Sequence, residues 1–303
     1  MKTCLTILMS LAFTTAAVRG QDLPTYQSTV AGQSPYYYNH LDNSLVPSIG
    51  TGTLVPTVSG TGFTNDYYGN ASDAAFFATT TAQLADATGN DIIANSGTTA
   101  NSIGSMSLLF YTPNTNNASS RYIFSDGDVA NPGGSTNGQQ FALEQVNQGL
   151  TLKAANKSIV TPWTVTAGTW YYFAATWNFT GANTNLYGIS YYLGVAGQPT
   201  NTLLSGFTQR GGSGNISSIG VLGNGGTFTL SSIQSDASGG YQVGGVPGSI
   251  DELATWTTQL TTAQISSQLN ALILVPEPST LFLCGFALTG LCALARRRRT
   301  LKK

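Results

Sequence analysis

The sequence predicts an all-β protein, an antiparallel β-sandwich carried between two end segments. Three observations predict it. Charged residues make up only 8% of the 303-residue chain, against a usual ~25%. Threonine alone outnumbers them, and glycine contributes 35 residues. Aromatics reach 10%, too many for a disordered chain. Thr, Tyr, Phe and Val are the side chains that suit a pleated, half-buried surface. Coiled coils and helical bundles are excluded, because they lean on Ala, Glu, Lys and Leu. A net charge of −1 excludes a basic nucleic-acid binder of the usual kind.

Residues 1–20 have the organisation of a secretory signal peptide. Lys2 is followed by an apolar stretch from Leu5 to Phe13 and then by small residues, the order such signals require. Cleavage fits after Ala17 or after Gly20. Gly20 is preferred, because Val18 and Gly20 suit the −3 and −1 positions. The apolar stretch is too short to span a membrane.

The other end, residues 275–303, reads VPEPSTLFLCGFALTGLCALARRRRTLKK. Thr280 to Ala295 is apolar, slightly short of the ~20 residues of a spanning helix. Arg296, Arg297, Arg298 and Arg299, with Lys302 and Lys303, would hold the tail on the cytoplasmic side. Pro276 and Pro278 keep Glu277 extended, open to a processing enzyme. The three parts together are Val275-Pro276-Glu277-Pro278-Ser279-Thr280, the apolar helix and the Arg cluster. They resemble the PEP-CTERM sorting signal of Gram-negative bacteria. The resemblance implies export by the Sec machinery, transient inner-membrane anchoring through the helix, and processing by the membrane enzyme exosortase near Pro-Glu-Pro. It also implies a producer of extracellular polysaccharide and a destination at the cell envelope, outer surface or extracellular matrix. A plain tail anchor is the simpler alternative.

Removing both ends changes the charge. Four basic residues remain in 21–274, Arg121, Lys153, Lys157 and Arg210, against twelve acidic ones, a net charge of −8. Binding to nucleic acid by charge alone is excluded. All three cysteines, Cys4, Cys284 and Cys292, lie in the ends, so no disulfide holds the body. A single domain of this length buries about three quarters of its unfolded surface and can stand on its core. His40 is the one histidine. A His pair, or a zinc cluster built on several His and Cys, within one chain is excluded.

Within the body the strands follow in order. Before residue 100 the pattern is loose, with strand-like pieces at Tyr36–Tyr38, Gly52–Val58 and Ala74–Ala78. Ser105–Tyr111 and Tyr122–Phe124 are strands, the second closed by Asp126-Gly127-Asp128. Gln140–Glu144 and Leu150–Lys153 make a hairpin around Asn147-Gln148-Gly149. Trp170–Trp177, WYYFAATW, is apolar on both faces, which marks a central strand covered on both sides. Gly188–Val195, Ile216–Leu222, Phe228–Ile233 and Gly248–Trp256 continue the series. Thr261 and Gln264 have capping-box spacing, and Ile265, Leu269 and Leu272 share one face of a short helix.

Three of these stretches resemble the laminin-G-like, or concanavalin A-like (lectin/glucanase), jelly-roll family. They are Ala167-Gly168-Thr169-Trp170 running into Phe173–Asn178, then Ser218-Ile219-Gly220, and last Gly248-Ser249-Ile250-Asp251-Glu252-Leu253 with Leu260–Ile265. The resemblance is strongest over residues 100–272. It implies a jelly-roll fold for 21–274, with Trp170, Gly248, Ile250, Asp251 and Glu252 as structural motif residues, and says more of fold than of activity.

Candidate sites come with plainer alternatives. Asp126 and Asp128, with Asn131 nearby, offer oxygens of the kind Ca²⁺ takes; an Asx turn is the alternative. Asp251 and Glu252 sit in a strand and are expected on opposite faces. One is expected to cap backbone amides, with a Ca²⁺ ligand or sugar acceptor as the other reading. Tyr36–Tyr38, Tyr67-Tyr68, Tyr171-Tyr172 and Tyr191-Tyr192 should place one ring inward and one outward. Outward rings can stack on sugars, and core packing is the alternative. A glucanase needs paired carboxylates on one face, about 5–5.5 Å apart when retaining; no Glu-x-Asp-x-x-Glu run occurs. No catalytic residues are expected. The functional expectation is an exported surface or matrix protein that binds carbohydrate without catalysis. The alternative is a structural matrix or coat protein without a specific ligand, and a polysaccharide hydrolase or lyase ranks below both.

Overall fold

The computed structural model describes residues 23–87, 92–93, 103–115, 120–126, 140–155, 157–178, 189–198, 204–208, 228–231, 233–234, 241–242 and 244–273. Within them the chain forms, in order, α1 (Leu23–Gly32), β1 (Tyr37–Asn39), β2 (Leu54–Val58), β3 (Thr61–Thr64), β4 (Ala74–Phe77), β5 (Gln83–Asp86) and β6 (Ile103–Thr112). There follow β7 (Arg121–Asp126), β8 (Gln140–Val146), β9 (Gly149–Ala155), β10 (Lys157–Thr164), β11 (Thr169–Asn178) and β12 (Ile189–Val195). The series closes with β13 (Leu204–Thr208), β14 (Thr229–Leu230), β15 (Ile233–Gln234), β16 (Tyr241–Gln242), β17 (Gly248–Trp256) and α2 (Thr262–Ala271).

The strands make two antiparallel sheets. The first has the order β13-β12-β11-β6-β17-β4-β3, and β1 joins the same edge of β17 as β4. The second has the order β10-β9-β8-β7-β14-β5-β2. This is the predicted jelly-roll sandwich, and Pro24–Ile273 is one compact unit. Alternate residues of each strand turn to one face. On the first sheet Leu108, Phe110, Tyr171, Phe173 and Trp177 enter the core, where they meet Phe124, Phe141, Leu143 and Leu152 of the second. Phe124 lies 5.8 Å from Phe173 and 5.2 Å from Phe141 between ring centroids, and Trp177 lies 5.3 Å from Phe141. Such offset or tilted pairs add about 0.5–1.5 kcal/mol each beyond their buried area.

The opposite face of the first sheet is covered as well. Both helices contribute. Tyr172 donates to Gln268 Oε1 of α2 at 2.7 Å, and Gln268 donates to Gln33 Oε1 just after α1 at 2.6 Å. Trp256 Nε1 donates to the Gln33 carbonyl at 3.1 Å. Double coverage accounts for the apolar run of β11, buried from Tyr171 to Trp177. It also answers the tyrosine question. Tyr172 and Tyr192, the members of their pairs that turn away from the opposite sheet, are nonetheless buried at 0% and 8% exposure, with Tyr192 against Thr262. Tyr37 and Tyr38 are both buried too. Core packing is the correct reading for all three groups.

Helix α2 forms as its spacing predicts. Thr261 caps it, its hydroxyl accepting from Gln264 N at 3.2 Å while Gln264 Oε1 accepts from Thr261 N at 2.9 Å. Ile265, Leu269 and Leu272 are fully buried. Helix α1 is unanticipated. Among its described side chains the apolar face is Tyr26 and Val30, both fully buried, one turn apart in a polar sequence and too sparse to read as periodicity. The hairpin β8–β9 turns at Asn147-Gln148, with Asn147 at φ 52. The strand expected over Phe228–Ile233 is broken at Ser231, whose φ is 56. Ser231 Oγ instead reaches the Val246 carbonyl at 3.0 Å. The strand expected at Ile216–Leu222, with Ser218-Ile219-Gly220, lies outside the described residues.

Gly104 pairs directly with Trp177, and a Cβ there would fall 2.4 Å from the indole Cζ2. Gly104→Ala is therefore expected to destabilise the protein by about 1–3 kcal/mol through overpacking, read from urea unfolding. Gly62→Ala on edge strand β3, where a Cβ meets nothing within 4 Å, is the near-neutral control.

Candidate functional site

Two places on the first sheet gather chemistry. One is buried and acidic. Strand β17 pairs Asp251 with Leu109 and Ala254 with Ser107, so one extra residue sits between them. Glu252 takes up the surplus with φ 55, a left-handed conformation unusual for glutamate,. The bulge cancels strand alternation. Asp251 and Glu252, expected on opposite faces, instead turn to the same place, where each offers an oxygen to one group with Asp42. All these oxygens lie within 4.8 Å of one another.

Asp42 arrives from the turn after β1. Asn39 builds that turn, accepting from Leu41 N at 2.9 Å and donating to the Leu45 carbonyl at 3.0 Å. Glu252, fully buried, accepts from Tyr38 OH and, at 3.1 Å, from Gln27 Nε2. His40 Nδ1 lies 3.2 Å from its Oε2, an ion pair when the imidazole is protonated. Asp251 Oδ1 accepts from the Glu252 amide at 2.9 Å, the backbone-capping role expected of one of these acids. Asp251 Oδ2 and Asp42 Oδ1 are buried without a hydrogen-bond partner.

Burial first, then the Glu252 carboxylate, raises Asp251 well above the carboxylate range. The same two causes push Asp42 up to about 7. For His40, burial opposes the charge but the Glu252 hydrogen bond outweighs it, and its pKa is raised. Burial and the nearby Glu252 likewise raise Tyr38, so it stays a neutral donor. Burial and mutual repulsion thus favour the protonated forms of Asp251 and Asp42,.

The second place is aromatic and open. Register puts Gly62, Phe76, Ser249, Tyr111 and Trp170 on one transverse row of the outer face, across β3, β4, β17, β6 and β11. Tyr111 and Trp170 are half-buried, with ring centroids 5.6 Å apart. Phe76 is 37% exposed. The row crosses β17 at Ser249, two residues before Asp251. At about 4.8 Å per strand it runs roughly 14 Å from Phe76 to Trp170.

Other predicted positions separate. Asp126 is not in a turn: it is the last residue of β7, paired with Phe141 in the second sheet and 2% exposed. Asp128 and Asn131 lie outside the described residues, as do Val275, Pro276, Glu277, Pro278, Ser279, Thr280, the apolar helix, and Arg296, Arg297, Arg298 and Arg299. Among the described residues no helix is long and apolar enough to cross a membrane. Gly248, Ile250, Asp251 and Glu252 all lie in β17, with Ile250 in the core. Asp42 and the aromatic row escaped the sequence reading. Asp42 is a lone loop acid, and the row is assembled by register between distant strands.

Two antiparallel sheets in this order define a jelly-roll β-sandwich. The binding domain of botulinum neurotoxin serotype C1 is similar at a TM-score of 0.50 and 13% identity, over 79% of this chain and 52% of its own. The serotype D ligand-binding domain, solved in complex with N-acetylneuraminic acid, is similar at 0.48 and 15%, over 80% and 52%. A heptameric SAP-like pentraxin from Limulus polyphemus follows at 0.34 and 18%, over 55% and 68%. The chain spans about half the length of the neurotoxin domains. These likenesses are of fold. No curated protein compared with the chain matches it. Residues 274–299 match the PEP-CTERM protein-sorting motif. The chain carries that motif, which implies export, membrane-associated sorting and processing by exosortase.

Tyr38→Phe should cost about 1–3 kcal/mol, because it strips a donor from a buried carboxylate. Thermal unfolding of the variant measures it. Phe76→Ala, on the open face, should change stability far less.

Proposed function

We propose that this chain is an exported, exosortase-processed protein of the cell surface or extracellular matrix whose jelly-roll body binds polysaccharide without turning it over. The observation that carries the reading is the row Phe76–Ser249–Tyr111–Trp170. Aromatic faces stack on the apolar faces of sugar rings, and a tyrosine hydroxyl adds a hydrogen bond. A row perpendicular to the strands offers an extended track, suited to a polymer rather than to one small sugar. The body's charge of −8 favours a neutral polysaccharide over a polyanion.

The buried acids support binding over hydrolysis. Glycosidase carboxylates flank the scissile bond, whereas Asp251 and Glu252 have no exposed surface. The low charge and abundant threonine equally suit a structural matrix or coat protein with no specific ligand, and the same experiment separates the two.

The full-length chain, purified in non-ionic detergent, is screened on a polysaccharide array. Saturable binding to one glycan class is expected. Trp170→Ala, Tyr111→Ala and Phe76→Ala should each weaken it roughly tenfold, equivalent to about 1.4 kcal/mol. Binding no greater than background across the array would assign the protein to the structural reading. Release of reducing ends from a bound polysaccharide would establish an enzyme instead.

A further inference from the structure

The open aromatic row lies close to the point where the chain leaves the body. We propose that, while the C-terminal tail is held in the membrane, Phe76, Tyr111 and Trp170 rest on the lipid surface, with zwitterionic phospholipid as their partner.

The exit point is fixed by the fold. Helix α2 ends at Ala271, and Leu272 after it is fully buried. Tyr68 OH donates to the Ala271 carbonyl at 3.4 Å. The Leu272 carbonyl lies 3.8 Å from where a Cβ on Gly197 would stand. Gly197 follows Ala196, whose amide donates to the Trp170 carbonyl at 3.0 Å. The turn after β12 therefore adjoins both the last buried residue of the body and the Trp170 end of the row.

The tether beyond that point is short. Thr280, where the apolar stretch of the tail begins, is eight residues past Leu272, a reach of roughly 29 Å at full extension. A body held so closely meets the bilayer surface at an effective concentration on the order of millimolar, so weak contacts suffice. The inference rests on the tail as a membrane anchor and not on glycan binding.

The row has the chemistry of a membrane interface. Tryptophan and tyrosine combine an apolar ring with a polar edge and gather at the headgroup level of bilayers. The five positions of the row, Gly62, Phe76, Ser249, Tyr111 and Trp170, bear no charge. Phe76 is 37% exposed, unusual for a phenylalanine that has no surface to meet. The charge of −8 on residues 21–274 opposes anionic headgroups, which selects a zwitterionic surface. Processing releases the same rings, so lipid precedes any glycan on the row.

Tryptophan quenching tests the contact. The full-length chain is reconstituted in phosphatidylcholine vesicles, with or without phosphatidylcholine brominated high on its acyl chains. Of the four tryptophans, Trp163, Trp177 and Trp256 are buried, so Trp170 is the one within reach of lipid. Brominated lipid is expected to quench its share of the emission. Trp170→Phe should abolish that quenching. Phe76→Asp should weaken it about twofold or more, because an aspartate resists leaving water, with the near-ultraviolet circular dichroism retained. Val46→Asp, exposed at 64% and off the row, should leave it unchanged. Equal emission in the two kinds of vesicle overturns the proposal. Quenching that survives Trp170→Phe, or that falls as far with Val46→Asp as with Phe76→Asp, also overturns it. An alkaline carbonate wash reads the anchor separately. A chain that washes off the vesicles has no membrane-held tail, and the proposal falls with that reading. A chain that stays bound yet unquenched refutes the lipid contact alone.

Discussion

Burial of the central strands on both faces governs this molecule. All nine residues of β17 are buried, and so are seven consecutive residues of β11. The second sheet covers one side and the two helices the other. With no water available, every polar group in these layers must find a partner inside the protein. The Gln33–Gln268–Tyr172 chain and the Tyr38 and Gln27 bonds to Glu252 meet that requirement. It goes unmet at a few buried atoms, among them Asp251 Oδ2, Asp42 Oδ1, Ser107 Oγ and Trp177 Nε1.

The same constraint explains how an exported domain holds together without disulfides. A sandwich of this size has enough interior to rely on packing. Phe124 contacts Phe141, Phe173 and Phe228, linking the sheets through rings. The helices do more than shield one face. Ser105 Oγ receives Leu260 N and donates to the Thr258 carbonyl, both at 2.8 Å, which fixes the turn leading into α2. Gln33 fastens the N-terminal helix to α2 and to Trp256. Beginning and end of the body thus meet on one face of the first sheet.

That face divides by function. Where the helices lie over it, tyrosines and acids are sealed in and work by hydrogen bonding and charge. Beyond them it is open, and Phe76, Tyr111 and Trp170 reach solvent in part. The sorting motif at 274–299 follows the body in sequence.

Much was legible in residue order alone. The sorting segment, the sandwich class, the strands at Ser105–Tyr111, Trp170–Trp177 and Gly248–Trp256, and the capped last helix all depend on local composition or periodicity, which neighbouring residues carry by themselves. The sites do not. Asp251 and Glu252 looked divided between two faces until a bulge, a matter of pairing with β6, turned them together. Tyr172 and Tyr192 looked available until α2 covered them. Asp126 looked like a loop ligand until pairing with Phe141 placed it in a strand. Asp42 and the Phe76–Trp170 row acquire meaning only through partners scores of residues away. Strand periodicity is written between neighbours, whereas register, bulges and coverage are set by which distant strands pair, and only the tertiary structure decides that.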